Sequence, residues 1–144
     1  MTARTTLRRL VQVQMTYCPA GQAAYDGLCK PVSLIYRVSD PFAVSLDIPD
    51  GGVVVTWLLS RELLADGLDT ASGLGDVEVH PDLFDDAVVW VCLFHTDGSG
   101  FVLLGFARAD LERFLDDTDL MVPAGTEAGR INWTRELALL AGDR

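Results

Sequence analysis

The side chains that most often perform nucleophilic or metal chemistry are few in this chain. Its histidines and cysteines are His80, His95, Cys18, Cys29 and Cys92. A serine or cysteine hydrolase needs a histidine beside its nucleophile. Gly98-Ser99-Gly100 lacks the G-x-S-x-G spacing of a nucleophile elbow. Each histidine ends a predicted strand, where a surface position is favoured over catalysis. The sequence therefore predicts no catalytic residue and no enzyme.

The three cysteines differ in context. Cys92 lies in an apolar run and is expected to be a small core side chain. Cys18 and Cys29 lie within a loop predicted over residues 17–30, an extended connection between the first two strands. They could form a disulfide, or a metal site together with a histidine. Two free thiols are favoured, because the spacing is not C-x2-C and no second pair follows.

Two further patterns suggest ligands only weakly. Asp116, Asp117 and Asp119 suggest calcium, but the glycine and glutamate of an EF-hand loop are missing. A solvated helix end is favoured, although acidic groups there oppose the helix dipole. Gly73-Leu74-Gly75 resembles part of a dinucleotide fingerprint, yet it precedes a predicted strand where the fingerprint opens a helix. No metal and no cofactor are predicted.

Charge argues against nucleic acid as the partner. The 144 residues include 11 basic and 21 acidic side chains, for a net charge of −10. The only basic cluster is Arg4, Arg8 and Arg9, which could bind phosphate or an acidic segment, or could protect an edge strand. No apolar run approaches the ~18 residues of a membrane span, and no signal-peptide core is present. A cytoplasmic location without membrane insertion is expected.

Alternating apolar and turn residues predict an α+β fold with about seven strands and three helices. The predicted strands cover residues 11–15, 32–38, 42–48, 53–59, 77–80, 87–94 and 101–106, and the predicted helices cover 61–66, 107–118 and 133–140. Hairpins dominate, so the sheets should be mostly antiparallel. No linker or repeat divides the chain, which predicts a single domain over residues 1–144.

The first predicted helix has recognisable ends. Ser60 can cap it, and Gly67 fits the left-handed position that follows a helix. Its leucines should pack on the sheet, because a helix of two turns is not stable alone. Phe42 and Trp57 belong to an apolar stripe that is expected to be core, with a subunit interface as the alternative.

Several segments, in this order and spacing, resemble the SsgA-like family of actinomycete sporulation and cell-division proteins. The resemblance covers roughly residues 34–141. The segments are Tyr36–Val44, Val55–Trp57, Arg61–Leu68, Gly73–Val77, Phe114–Asp119 and Val122–Glu127. The loop predicted over 17–30 is longer than is usual in this family.

The resemblance implies a non-enzymatic protein of sporulation-specific septation. Such a protein helps to mark division sites at the septum and recruits or positions FtsZ, together with other septation proteins. The implied fold is Whirly-like, and the implied assembly is a homo-oligomer, with a trimer favoured. The alternative is a single-stranded nucleic-acid binder of that fold. It is less favoured, because base stacking needs exposed aromatic residues beside a basic groove.

The resemblance also supplies candidate partner-binding residues. Gly125 and Pro123 lie in the loop 122–127, where glycine allows either a close partner contact or simply a turn. Arg61, Glu62 and Asp66 form the polar side of the first short helix, where a solvated face is the alternative.

Overall fold

The computed structural model describes residues 4–21 and 25–130, which form one antiparallel sheet with helices. The strands are β1 (Thr6–Pro19), β2 (Tyr25–Arg37), β3 (Asp40–Asp50), β4 (Val53–Ser60), β5 (Ser72–Leu74), β6 (Val77–Pro81), β7 (Val88–Phe94) and β8 (Gly100–Ala107). The helices are α1 (Arg61–Gly67) and α2 (Arg108–Met121), followed by a short 3-10 helix, Glu127–Arg130. The α+β prediction is confirmed. The helix predicted over 133–140 lies outside the described residues.

The order of strands in the sheet is β4-β3-β2-β1-β8-β7-β6-β5. The sheet curls, since the rings of Trp57 on β4 and His95 after β7 lie 6.3 Å apart although four strands separate β4 from β7. Both helices pack on strands of this sheet, α1 on β3 to β6 and α2 on β1 and β8. The hydrophobic core therefore lies between the concave face and the helices.

Strand register explains which side chains form the core. Leu7, Tyr36, Val44 and Leu59 pair in one row across four strands, and all four are buried. Side chains alternate between the two faces of a strand, so every second residue enters the core. Cys92 is buried too, but it alternates with the core residues Val91 and Leu93 and faces the opposite side of the sheet. Burial raises the pKa of the Cys92 thiol to about 11.

The extended loop predicted over 17–30 is wrong. β1 continues to Pro19 and β2 begins at Tyr25, so most of that segment is strand. Pro19 pairs with Gly100 on β8, and this long-range pairing overrides the local loop signal of proline. Cys18 and Cys29 are both free thiols on these strands. The sheet also has eight strands rather than seven, because the three-residue β5 carries no alternating pattern.

β1 is a central strand, so edge protection by the N-terminal arginines is wrong. Arg8 lies 3.7 Å from Asp47 on β3, and Arg9 forms an ion pair with Asp117 on α2.

The acidic residues at the end of α2 also have arginines nearby. Arg9 pairs with Asp117, and Asp119 lies near Arg61. Two of the three acidic residues at the end of α2 therefore face arginines, which offsets their unfavourable interaction with the helix dipole.

Helix α1 begins as predicted and ends differently. The Ser60 side chain accepts a hydrogen bond from the Leu63 backbone N–H at 3.1 Å. The C-cap is Leu68 with right-handed backbone angles, so the left-handed position predicted for Gly67 is wrong. Gly67 is instead buried against β6, where a Cβ would lie 2.3 Å from the Val79 side chain. Glycine lets the helix approach the sheet closely.

Candidate functional site

A groove of about 410 Å³ runs between α1 and the segment 122–128 that follows α2; we call it the α1–α2 groove. Its lining residues are Phe42, Arg61, Glu62, Ala65, Asp66, Leu115, Asp119, Ala124, Gly125, Glu127 and Ala128. Four of the five predicted partner-binding residues therefore meet in one place. Pro123, the fifth, lies in the adjoining turn and does not line the groove.

Arg61 forms the base of the groove. It is the first residue of α1, and only 4% of its surface is exposed. Its guanidinium lies over the Tyr36 ring, 5.0 Å from the centroid. This stacking is a cation–π arrangement. The interpretation of a solvated helix face is therefore wrong for Arg61. Glu62 and Asp66 are exposed, as that interpretation predicts.

The Arg61 guanidinium also closes the end of α2. Its Nη1 donates hydrogen bonds to the Val122 carbonyl at 2.7 Å and to the Thr118 carbonyl at 3.2 Å. The last turn of α2 contains no basic residue of its own. The final carbonyls of a helix lack partners within the helix, and a cation there interacts favourably with its dipole. Arg61 supplies both effects from another element.

Glu127 connects Arg61 to the exposed turn. Its Oε2 lies 3.3 Å from Arg61 Nη2, and its Oε1 accepts a hydrogen bond from the Gly125 backbone N–H at 2.6 Å. The pKa of the Glu127 carboxyl lies below its usual value, because its own backbone N–H, the Arg61 guanidinium and the Gly125 N–H stabilise the charged form. Burial acts in the opposite direction and raises the pKa. The carboxylate is therefore charged at neutral pH and holds the wall of the groove in place.

Gly125 lies at the exposed rim of the groove. Its φ is +89°, a conformation that other residues adopt at a cost, and no atom lies within 4 Å of the position of a Cβ. Pro123 stabilises the same turn, because its carbonyl accepts hydrogen bonds from the backbone and the hydroxyl of Thr126. The turn is thus fixed from inside and open to an approaching partner from outside.

Sequence reasoning missed the apolar side of the groove. The sequence predicts Phe42 in the core, but it is 48% exposed, because it lies near the start of β3, two residues before the buried Val44. Leu115 and Asp119 come from α2, far away along the chain. Spacing within one helix could not reveal that they face α1. Trp57 is partly buried against the core, in line with the core interpretation.

The other candidate side chains do not form a reactive cluster in the described part of the chain. The centroid of the His95 ring lies 6.3 Å from those of Tyr17 and Trp57, and His80 Nδ1 lies 3.2 Å from the Pro81 carbonyl oxygen. Among residues 4–21 and 25–130, no group of three histidine, cysteine or acidic side chains is placed to hold a metal ion. In the same ranges, no helix combines the length and apolar character that a membrane crossing requires.

Comparisons with known proteins agree on one family. The profile described as "Streptomyces sporulation and cell division protein, SsgA" matches residues 31–127. A sporulation-specific cell division protein of Frankia casuarinae is 36% identical over 114 residues, which cover 79% of this chain and 78% of that protein. SsgB of Streptomyces coelicolor is 38% identical over 109 residues, covering 75% of this chain and 79% of the relative.

Solved structures confirm the fold. A structure reported with mutations in SsgB that correlate to longitudinal cell division during sporulation of Streptomyces coelicolor superimposes with a TM-score of 0.70 at 30% identity, covering 90% of this chain and 99% of that one. An SsgA-like sporulation-specific cell division protein from Thermobifida fusca gives a TM-score of 0.75 at 26% identity, covering 96% and 98%. The chain belongs to the SsgA family of sporulation and cell division proteins.

Proposed function

We propose that this chain is a non-enzymatic regulator of sporulation-specific cell division that helps to mark septum sites and binds FtsZ through the α1–α2 groove. The names of its relatives support a role in sporulation cell division. The family profile spans every residue that lines the groove except Ala128. The groove is also the place where the predicted residues Arg61, Glu62, Asp66 and Gly125 converge, and this convergence is the observation that carries the proposal.

The groove is suited to protein binding. Its walls are held by the buried Arg61 network, while Gly125 and the outer face of α1 remain open. Binding sites with such preformed walls lose little conformational entropy when a partner docks. The protein would then act from the cytoplasm and be recruited to the division septum by its partners, FtsZ and other septation proteins.

Co-sedimentation with GTP-assembled FtsZ from the same organism tests this function. The wild-type protein should pellet with the polymers, and Gly125→Val should pellet less, because a branched side chain would obstruct the rim and strain the turn. Gly52→Val is the matched control: Gly52 has a φ of +87°, no atom near its Cβ position, and lies in the β3–β4 turn. No pelleting of the wild-type protein, or equal loss for both variants, would contradict the proposal.

Self-association is the second part of the proposal. Leu10 on β1 and Leu58 on β4 are 66% and 65% exposed in the β1–β4 half of the sheet, with β2 and β3 between them, and a second copy would cover them. We expect a homo-oligomer, with a trimer favoured, and a Whirly-like arrangement of the fold. Light scattering of the purified protein measures the number of copies directly.

Single-stranded nucleic acid is a weaker candidate. A second cavity, of about 510 Å³, lies at the open end of the curled sheet and contains Tyr17 and Trp57, which could stack on bases. Its lining includes Asp50 and Asp97 but no lysine or arginine. Carboxylates repel a phosphate backbone, so this cavity lacks the electrostatic half of such a site.

A further inference from the structure

The apolar floor of the α1–α2 groove is the first indication of what it binds. Phe42 is 48% exposed there, and Leu115, Ala65, Ala124 and Ala128 complete the surface around it. A half-exposed phenylalanine loses contact with water when a partner's apolar side chain packs on it, and aromatic anchors of this kind dominate the energetics of many interfaces.

The groove is strongly acidic. Four carboxylates and one guanidinium line it, so its net charge is −3. The positive charge is not available to a ligand, because Arg61 is 4% exposed and faces Glu127 and the carbonyls at the end of α2. Glu62 and Asp66 on α1 are the carboxylates that remain fully for a partner. Asp119 on α2 lies 3.5 Å from Arg61 Nη1, but its side chain is exposed enough to accept a second cation.

These carboxylates are placed on both sides of the floor. Glu62 and Asp66 are four residues apart on α1, so they lie on one face of that helix. The Asp119 side chain is 52% exposed on the opposite side. A shallower depression continues from Ala65 and Asp66 toward Asp69, whose side chain is 88% exposed and lies 3.9 Å from Arg108 Nη1. The acidic surface is therefore elongated, as a docking site for an extended segment would be.

Resting on the function proposed above, we infer that the α1–α2 groove binds a linear segment of a protein partner that presents a large apolar side chain flanked by lysine or arginine. The apolar side chain packs on Phe42 and Leu115. The flanking cations pair with Asp66 and Glu62 on one side and with Asp119 on the other. A membrane surface with anionic headgroups does not fit, because the same carboxylates would repel it.

Labelled peptides test this inference on the full-length protein. The probe is a dodecapeptide with Arg-Leu-Lys-Phe in a glycine and serine background. One matched peptide carries Glu-Leu-Asp-Phe and the other Arg-Ser-Lys-Ser. We expect fluorescence anisotropy to show binding of the first peptide and affinities lower by about tenfold or more for the other two. Raising the salt from about 0.1 to about 1 M shortens the Debye length to roughly 3 Å and should weaken the first complex.

Matched variants locate the binding surface. Glu62→Lys with Asp66→Lys should abolish binding of the basic peptide and favour its acidic counterpart. Glu112→Lys with Asp116→Lys changes the net charge equally, at the same spacing on the exposed face of α2, and should leave binding unchanged.

Equal binding of all three peptides, or an equal effect of both double variants, would overturn the inference. Concentration-dependent self-association that only the α1 variant loses would identify a second copy as the occupant and would also overturn it.

The outcome is separable from that of the FtsZ test. If the wild-type protein pellets with FtsZ and Gly125→Val does not, while the double variant in α1 pellets normally, the proposed function stands and this inference fails. If the basic peptide binds in the groove but the protein never pellets with FtsZ, the groove chemistry stands and its partner is another septation protein.

Discussion

Arg61 and Glu127 face each other beneath the rim of the α1–α2 groove, with Arg61 Nη2 and Glu127 Oε2 separated by 3.3 Å. Both side chains are largely buried, with 5% and 12% of their surfaces exposed. Through this contact the first residue of α1 fixes the segment that follows α2. The groove exists because these two elements are joined at this point.

Arg61→Ala should destabilise the fold. Removing one member of a buried ion pair leaves the other uncompensated, and here it also removes the side-chain donor of the Val122 carbonyl and one of the two donors of the Thr118 carbonyl. We expect a loss of about 3 kcal/mol in the free energy of unfolding. Urea denaturation measures it, with Arg113→Ala on the exposed face of α2 as the control, expected within about 0.5 kcal/mol of wild type. A loss equal to that of the control would show that the network is not structural.

Glu127 should make stability depend on pH in the acid range. Folding lowers the pKa of the Glu127 carboxyl below its ordinary value of 4.5. The contribution of the carboxylate to the free energy of unfolding is therefore fully present above pH 4.5 and is lost as the pH falls through the lower pKa of the folded state. We expect wild type to be more stable than Glu127→Gln at neutral pH, and the difference to shrink below pH 4.5. A difference that is constant from neutral to acid pH would contradict this assignment.

Gly67→Ala tests the close packing of α1 on β6. The added methyl group would overlap the Val79 side chain and lie 2.9 Å from its carbonyl oxygen. We expect destabilisation of about 1–3 kcal/mol, because the backbone must shift to accommodate it. Gly129→Ala is the control, since its Cβ position is open and its φ is not left-handed. Similar midpoints of thermal unfolding for the two variants would show that helix and sheet separate easily.

Phe42→Ala separates binding from stability. Because nearly half of this side chain is exposed, its removal should change the free energy of unfolding by only about 1 kcal/mol. Binding of the Arg-Leu-Lys-Phe peptide, measured by anisotropy, should weaken by about tenfold or more. Phe84→Ala removes the same ring from a position that is 95% exposed in the β6–β7 connection and should not affect binding. Unchanged affinity for Phe42→Ala would place the apolar contact elsewhere.

Local chemistry explains which parts of the fold could be predicted. The Ser60 cap, the β3–β4 hairpin and the start of α2 depend on residues close together in the chain. The burial of Arg61 could not be predicted from its neighbours, because its partner Thr118 lies 57 residues away. The same holds for the end of β1, where pairing with β8 overrides the loop signal of Pro19. Phe42, Leu115 and Asp119 lie in segments that resemble the family, but only tertiary contacts reveal that they line the groove.

The most direct test of the central claim is FtsZ co-sedimentation of two double variants. One is Glu62→Lys with Asp66→Lys in the groove, and the other is Glu112→Lys with Asp116→Lys on α2. The account predicts that the groove variant loses pelleting with GTP-assembled FtsZ, while the α2 variant, of equal net charge, pellets like wild type. Equal pelleting of the two variants would contradict the claim that FtsZ binds to the acidic α1 side of the α1–α2 groove.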